Sequence, residues 1–158
     1  MPQGQSPAGA SAAARRAHAT GGVPSGDARF GRERRLRSSA DFARVRQARR
    51  SFSAGSLTLG VARRTEVADI SAAQPAALTR VGFTVGKRVG GAVTRNLVRR
   101  RLRELVRRRM RRFTAGWDLV VVARPTAAAA TSRALALDLD TLLIRAKVLE
   151  PSSEGHSL

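Results

Sequence analysis

The residues in this chain best suited to do chemistry are arginines. Ten of them fall between Arg95 and Arg112, within the segment TRNLVRRRLRELVRRRMRR. A guanidinium is planar, keeps its charge and presents five donors in a fork that fits phosphate oxygens and stacks on bases, so the chemistry is polyanion binding. Asn96 follows Arg95 and adds a donor and an acceptor, a pair able to engage a sugar hydroxyl or a base edge as well as phosphate. Upstream, Lys87 and Arg88 stand among Gly86, Gly90 and Gly91. Those glycines carry two compatible readings: a tight turn, and a loop that brings backbone N–H groups and two cations close to phosphates. A Walker loop is excluded, because Gly82 and Gly86 enclose three residues instead of four and Lys87 precedes Arg88 instead of serine or threonine.

Hydrolytic chemistry has little to work with. Metal-dependent hydrolysis needs clustered carboxylates, and acid–base hydrolysis usually needs a histidine beside its partner. Both histidines, His18 and His156, lie near the chain ends, and from Arg80 to Arg124 the acids are Glu104 and Asp118. Asp138 and Asp140 are two apart on a predicted helix, about 200° around its axis, and cannot grip one ion together. Glu104 is expected to pair with neighbouring arginines such as Arg100 or Arg108. No catalytic residue and no protein-held metal are therefore expected. The chain has no cysteine, which removes disulfides, thiolate metal sites and cysteine nucleophiles.

The arginines need a scaffold, and the apolar pattern supplies one. Val98, Leu102, Leu105, Val106, Met110 and Phe113 recur at three- and four-residue spacing, which at about 100° per residue forms one stripe of a helix spanning roughly 93–113. Asn96, Arg100, Arg103, Arg107 and Arg111 fall about 140° to 220° from Val98, on the opposite face. For the outer arginines Arg107, Arg108, Arg109, Arg111 and Arg112, a solvated cationic face and direct RNA contact are both open. An earlier helix is predicted over 39–49, capped by Ser38 or Ser39, with Phe42 and Val45 on one face. Phe42 has two readings, core packing with Val45 or a stacking platform for an unpaired base. Leu57, Leu59 and Val61 alternate as a strand, and Val81, Phe83 and Val85 as another, with a mobile connection through Gln74 and Pro75 between them. Asp118 to Ala123 reads as a strand central in the sheet. Thr131 to Leu149 reads as a helix on length, although Leu135, Leu137 and Leu139 also alternate. The order predicts a small α/β sandwich.

Composition agrees with a nucleic-acid partner. The chain has 158 residues, 42% of them hydrophobic, and a net charge of +19. Of its 30 basic residues only Lys87 and Lys147 are lysine, which leaves 28 arginines. That much fixed positive charge repels itself unless a polyanion compensates it. The longest apolar run, Leu119 to Ala123, falls far short of the ~20 residues of a membrane helix. The division expected is a disordered N-terminal extension over 1–30, an RNA-binding domain over 31–150 and a C-terminal tail over 151–158. The extension has a faint likeness to a transit peptide, but Gly21, Gly22 and Pro24 interrupt it and large apolar residues are missing.

The block RVGFTVGKRVGGAVTRNLVRRRLRE, residues 80–104, closely resembles the signature of the bacterial ribonuclease P protein component. RLRSSADF, residues 35–42, is similar to the family's first helix, and DLVVVARP, residues 118–125, to its strand after the basic helix. The resemblance implies an α/β (α+β) two-layer sandwich with a small mixed sheet and the basic helix in a left-handed βαβ crossover. It implies a cytoplasmic protein that pairs with the catalytic RNA of ribonuclease P and with precursor tRNA, with no membrane and no obligatory protein partner. The RNA and its Mg2+ would hydrolyse the precursor, while the protein holds the 5′ leader beside the sheet. Matched residue by residue, Lys87, Arg88, Arg95, Asn96, Arg99, Arg100 and Arg103 are the RNA-binding candidates, with Arg107 one helical turn further on. Phe42 matches a leader-cleft aromatic, and Arg46 stands where a second aromatic is frequent. Leu97 departs from an arginine, and Gly60 stands where an aromatic would fit the pattern. These departures predict a leader cleft that relies on charge more than on stacking.

The main rival is a non-enzymatic RNA-binding module of ribosomal type. A cationic membrane-surface helix is a further alternative, but the flanking strand patterns place its apolar stripe in a core.

Overall fold

The computed structural model describes residues 30–64 and 78–149. The predicted extension up to residue 29, the predicted mobile connection around Gln74 and Pro75, and the predicted tail over 151–158 lie outside them.

Four strands form one mixed sheet: β1 (Ser51–Ala54), β2 (Leu57–Arg63), β3 (Arg80–Val85) and β4 (Trp117–Ala123), in the order β1-β2-β4-β3. Neighbours β1 and β2, and β2 and β4, run antiparallel, whereas β3 and β4 are parallel. A parallel pair needs a crossover, and α2 (Ala92–Arg109), extended by a 3-10 turn over Met110–Arg112, supplies it. β4 is central and buried along nearly its whole length, as its apolar run predicts.

The alternation of the strands sorts side chains between two faces. Leu57, Leu59 and Val61 of β2, Val81 and Val85 of β3, and Leu119 and Val121 of β4 point to one side. There they meet Val98, Leu102, Val106 and Met110 of α2, and Leu135, Leu139, Leu142 and Leu143 of α3 (Ser132–Arg145). Each large apolar side chain so enclosed contributes about 1.5–3 kcal/mol. Leu135 and Leu139 are fully buried and Leu137 is 60% exposed, so the alternating leucines belong to a helix face, and Thr131 caps that helix by accepting the Ala134 N–H at 3.1 Å. The other side of the sheet carries Gly60, Ala62, Val120 and Gly82. Helix α1 (Ser39–Gln47) leans on it through Val45 and Phe42, so the sandwich gains partial cover on its second side.

Two glycines let α1 sit that close. A Cβ on Gly60 would come within 3.1 Å of Val45 Cγ1, and one on Gly82 within 2.6 Å of Phe42 Cζ. Beneath α1 lies a cluster of three arginines and two carboxylates. The fully buried Asp118 accepts from Arg80 Nε at 2.9 Å and Arg80 Nη2 at 2.8 Å, accepts also from Arg44 Nη2, and has Arg64 Nε 3.9 Å away. Asp41 of α1 joins through Arg80 at 3.2 Å. Burial pushes the Asp41 carboxyl up, but Ser38, Arg80 and Arg44 outweigh it and leave it below the usual range. Hydrogen bonds to Asp118 raise Arg80, while burial lowers Arg64.

Four boundaries differ from the sequence reading; α3, expected to reach Leu149, ends at Arg145, shortly before Lys147 takes a left-handed backbone, φ +58°. Strand β1 was not anticipated: it is a four-residue edge strand with only Phe52 as a large apolar side chain, joined to β2 by a two-residue turn in which Gly55 has φ +50°. Helix α1 ends at Gln47 instead of 49 because Arg49 adopts a left-handed backbone, φ +50°. The packed domain begins at Phe30, which the sequence division placed in the extension. Its buried ring meets Phe83 edge to face, with centroids 5.7 Å apart.

Candidate nucleic-acid interface

The basic helix is launched by a single demanding turn. Lys87, Arg88 and Val89 form a 3-10 turn in which Val89 anchors in the core and both cations remain exposed. Gly90 then takes φ +152°, a value side chains rarely adopt, whereas Gly91 caps α2 with ordinary extended angles. The turn reading of the glycines therefore rests on Gly90. No side chain caps the helix and its first turn holds no acid, so free N–H groups face outward beside Arg95 and Asn96. Arg95 is half-buried, and its enclosed Nε has no acceptor.

Along α2 the predicted site residues divide between two sides. Asn96 and Arg100 border a shallow depression with Val93, which is 84% exposed, and half-buried Leu97. Leu97 thus contributes an apolar contact where a cation stood in the resembling motif. Arg99 and Arg103 turn the other way, towards α1. They share a cleft of about 110 Å³ with Phe42, Phe83, Gly82 and Arg35. Asn96 and Arg99 remain linked, since Arg99 Nη1 donates to Asn96 Oδ1 at 3.2 Å. The structure therefore does not gather Lys87, Arg88, Arg95, Asn96, Arg99, Arg100 and Arg103 into one patch; it wraps them around the start of the helix.

Further along, α2 turns structural. Arg107 donates to Glu104 through Nε at 2.9 Å and Nη2 at 2.8 Å, and Arg108 Nε donates to the same carboxylate at 3.0 Å. These bonds hold the Glu104 carboxyl down at about 2. Arg108 is a partner the spacing predicted; Arg107 takes the place expected of Arg100. Arg109 clamps Asp140 of α3 with two bonds, at 2.5 and 2.8 Å, and Arg101 donates to the Ala130 carbonyl at 3.3 Å. Asp138, on a different side of α3 from Asp140, accepts the Ser56 N–H at 2.9 Å.

Phe42 packs with Val45, as the first of its two readings expects. It is half-buried, packs over Gly82 beside Leu36, and still lines the cleft. One turn later, Arg46 lies at the lip of a second cleft, about 220 Å³, floored by Gly60, Val120 and Val122 and flanked by Arg49 and Arg50. The Arg50 guanidinium also lies 5.8 Å from the Phe52 ring and 5.7 Å from that of Trp117. Sequence reasoning missed Arg35, Arg49 and Arg50. Arg35 reaches the first cleft because Leu36 N–H bonds the Val81 carbonyl at 3.1 Å and ties this segment to the edge of β3. The glycines at outward positions of β2 and β3 were the legible sign of a close approach.

Among the described residues no group of three metal-ligating side chains occurs, and no helix is long and apolar enough to cross a membrane.

Known proteins are similar to this chain in sequence and fold. The sequence model of the Ribonuclease P family matches residues 30–147, from the Phe30 anchor to the end of α3. The ribonuclease P protein component of Roseiflexus sp. (strain RS-1) is 39% identical over 124 residues, covering 78% of this chain and 93% of that protein. The Streptomyces bikiniensis component is 47% identical over 115 residues, covering 72% and 91%. Among solved structures, the Staphylococcus aureus RNase P protein superposes with a TM-score of 0.61 at 25% identity, covering 74% of this chain and 98% of that one. The Thermotoga maritima protein, at 23% identity, shares the fold with a TM-score of 0.59. With the family signature covering the whole packed domain, the chain belongs to the bacterial ribonuclease P protein family.

Proposed function

We propose that this chain is the protein subunit of ribonuclease P, binding the catalytic RNA and the 5′ leader of precursor tRNA and assisting removal of the leader. The observation that carries this reading is the division of α2's basic start between an outer face, with Asn96 and Arg100, and a cleft shared with α1, with Arg99, Arg103 and Phe42. One helix thereby offers two RNA-binding sides at once, as a subunit joining a catalytic RNA to its substrate requires. Lys87, Arg88 and Arg95 extend the outer side around the helix start, and Arg46 serves the leader from the second cleft beside α1. Arg107 acts through its pairing with Glu104, shaping the cationic face.

Five of the six acids among the described residues have structural employment, Glu33 being the sixth. Asp41, Asp118, Glu104 and Asp140 are each ion-paired with arginine, and Asp138 holds the β1–β2 turn. Hydrolysis is accordingly assigned to the RNA, with Mg2+ held mainly there. The protein's residues supply binding, orientation and neutralisation of phosphate charge. The test combines the chain with a bacterial ribonuclease P RNA at low Mg2+ and follows cleavage of a leader-bearing precursor. Stimulation is expected; its absence would overturn the proposal.

A further inference from the structure

The outer side of α2 exposes two apolar side chains in the most basic element of the molecule. Val93 is 84% exposed and Leu97 is half-buried, and at a spacing of four they stand together on one face of the helix. Asn96 and Arg100 follow each of them by three residues, and the four side chains line one shallow depression of about 370 Å³. No acid stands in the first turn of the helix, and Lys87 and Arg88 are exposed just before it. Two polar groups at the depression are ready for a partner. Arg99 Nη1 donates to Asn96 Oδ1 at 3.2 Å, which fixes the amide and leaves its Nδ2 with no acceptor among the described residues. Glu104, four residues beyond Arg100, is taken by Arg107 and Arg108, so Arg100 has no carboxylate among the described residues.

An apolar spot set among cations narrows the choice of occupant. An apolar protein surface would strip water from the arginines without pairing them. A bare phosphate backbone would leave Val93 and Leu97 in water with nothing gained. A nucleotide satisfies both, since it has a flat ring face and a phosphate. We infer that Val93 and Leu97 seat the face of one unpaired nucleobase of the catalytic RNA, with Asn96 Nδ2 donating to an acceptor on its edge and Arg100 on the adjoining phosphate. The base must be unpaired and splayed out, because a stacked helix hides its ring faces. It is assigned to the catalytic RNA because the depression lies on the outer side of α2, away from the α1 cleft that holds Phe42, Arg99 and Arg103. The inference rests on the proposed function and deepens it: the outer contact includes an apolar base seat and is not a phosphate grip alone.

The test uses the full chain with a bacterial ribonuclease P RNA and measures affinity against salt concentration for V93A, L97A, L97M and R100A. L97A should weaken binding about tenfold and V93A about fivefold, since each removes apolar surface covered on binding. Neither should change the salt slope, because no phosphate contact is lost, whereas R100A should lower it by about 0.7 to 0.9. L97M keeps the apolar volume and should stay within about twofold of wild type. Abasic nucleotides are then placed singly at unpaired positions that the bound chain shields from chemical probing. One of them should weaken the wild type about tenfold and add little to L97A. Affinity unchanged in both L97A and V93A would overturn the inference. So would coupling of L97A to an abasic position in the precursor's leader, which would give the seat to the substrate. Binding to phosphatidylglycerol vesicles that depends on Val93 and Leu97 would overturn it as well, in favour of a membrane surface. A wild-type chain that fails to stimulate cleavage sinks the broader function instead, so the two failures are distinguishable. Unchanged thermal unfolding of V93A and L97A confirms that the comparison is between folded proteins.

Discussion

Two groups of arginines flank helix α1, and they differ in what stands opposite them. Arg44, Arg64 and Arg80 gather around Asp118 and Asp41 beneath the helix, where Asp118 is fully buried. Arg35, Arg99 and Arg103 gather at its other flank with Phe42 and Phe83 and no acid. A buried charge is tolerated only when paired and hydrogen-bonded, so the first group can be part of the core. The second stays partly open to solvent and remains short of an anion. Between these two groups, the presence of an opposing carboxylate marks the arginines built into the core, and its absence marks those left facing an open cleft.

The comparison can be broken from either side. The largest effect is expected for D118A, which removes the buried carboxylate that both Arg80 and Arg44 donate to. Denaturant unfolding should show a loss of about 3–5 kcal/mol, and a loss below about 1 kcal/mol would mean the cluster is dispensable. Next comes R99E, which gives the open group an acid four residues from Arg103. Thermal unfolding should hold steady or rise slightly, since such a pair adds about 0.2–0.5 kcal/mol, while affinity for precursor should fall by about a hundredfold, two contacts at tenfold each. A matching fall in stability would show that Arg99 is structural after all.

A third prediction concerns the spacing between the groups. G82A places a methyl in contact with Phe42 and Leu36 and must lift α1, at a cost of about 1–3 kcal/mol. Leader-dependent binding should suffer more than assembly with the catalytic RNA. The smallest effect is a pH dependence. Glu104 has its pKa lowered from 4.5 to about 2, so its pairing contributes stability that is complete above 4.5 and is lost as pH falls towards 2. The difference between wild type and E104Q in acid unfolding should therefore shrink across that window. A difference that persisted below it would assign the effect to packing.

Much of the scaffold was legible in the pattern of residues. The stripe from Val98 to Met110 and the apolar run of β4 predicted a buried helix face and a central strand, because burial selects side chains by period. Edge strand β1 was not legible: its four residues alternate between exposed and half-buried, and pairing with β2, not its own pattern, makes it a strand. Around the candidate site, a helical wheel separates packing from exposure but does not say which neighbour an exposed residue will face. It placed Arg100, Arg103 and Arg107 together opposite Val98. The structure sends Arg103 to the α1 cleft, leaves Arg100 on the outer side and occupies Arg107 with Glu104.

The sequence by itself determined the excess of positive charge, the position of the basic helix and the turn that starts it. Those depend on charge, period and the backbone freedom of Gly90, all of which are local. Only the tertiary structure decided that Arg35 joins Arg99 and Arg103 and that Asp118 sits among three arginines. It also decided that Phe42 can rest on Gly82 and still line a cleft. Each of these depends on contacts between segments far apart in the chain, brought together by the parallel β3–β4 pairing and the bridge from Arg35 to Val81, which no local pattern encodes.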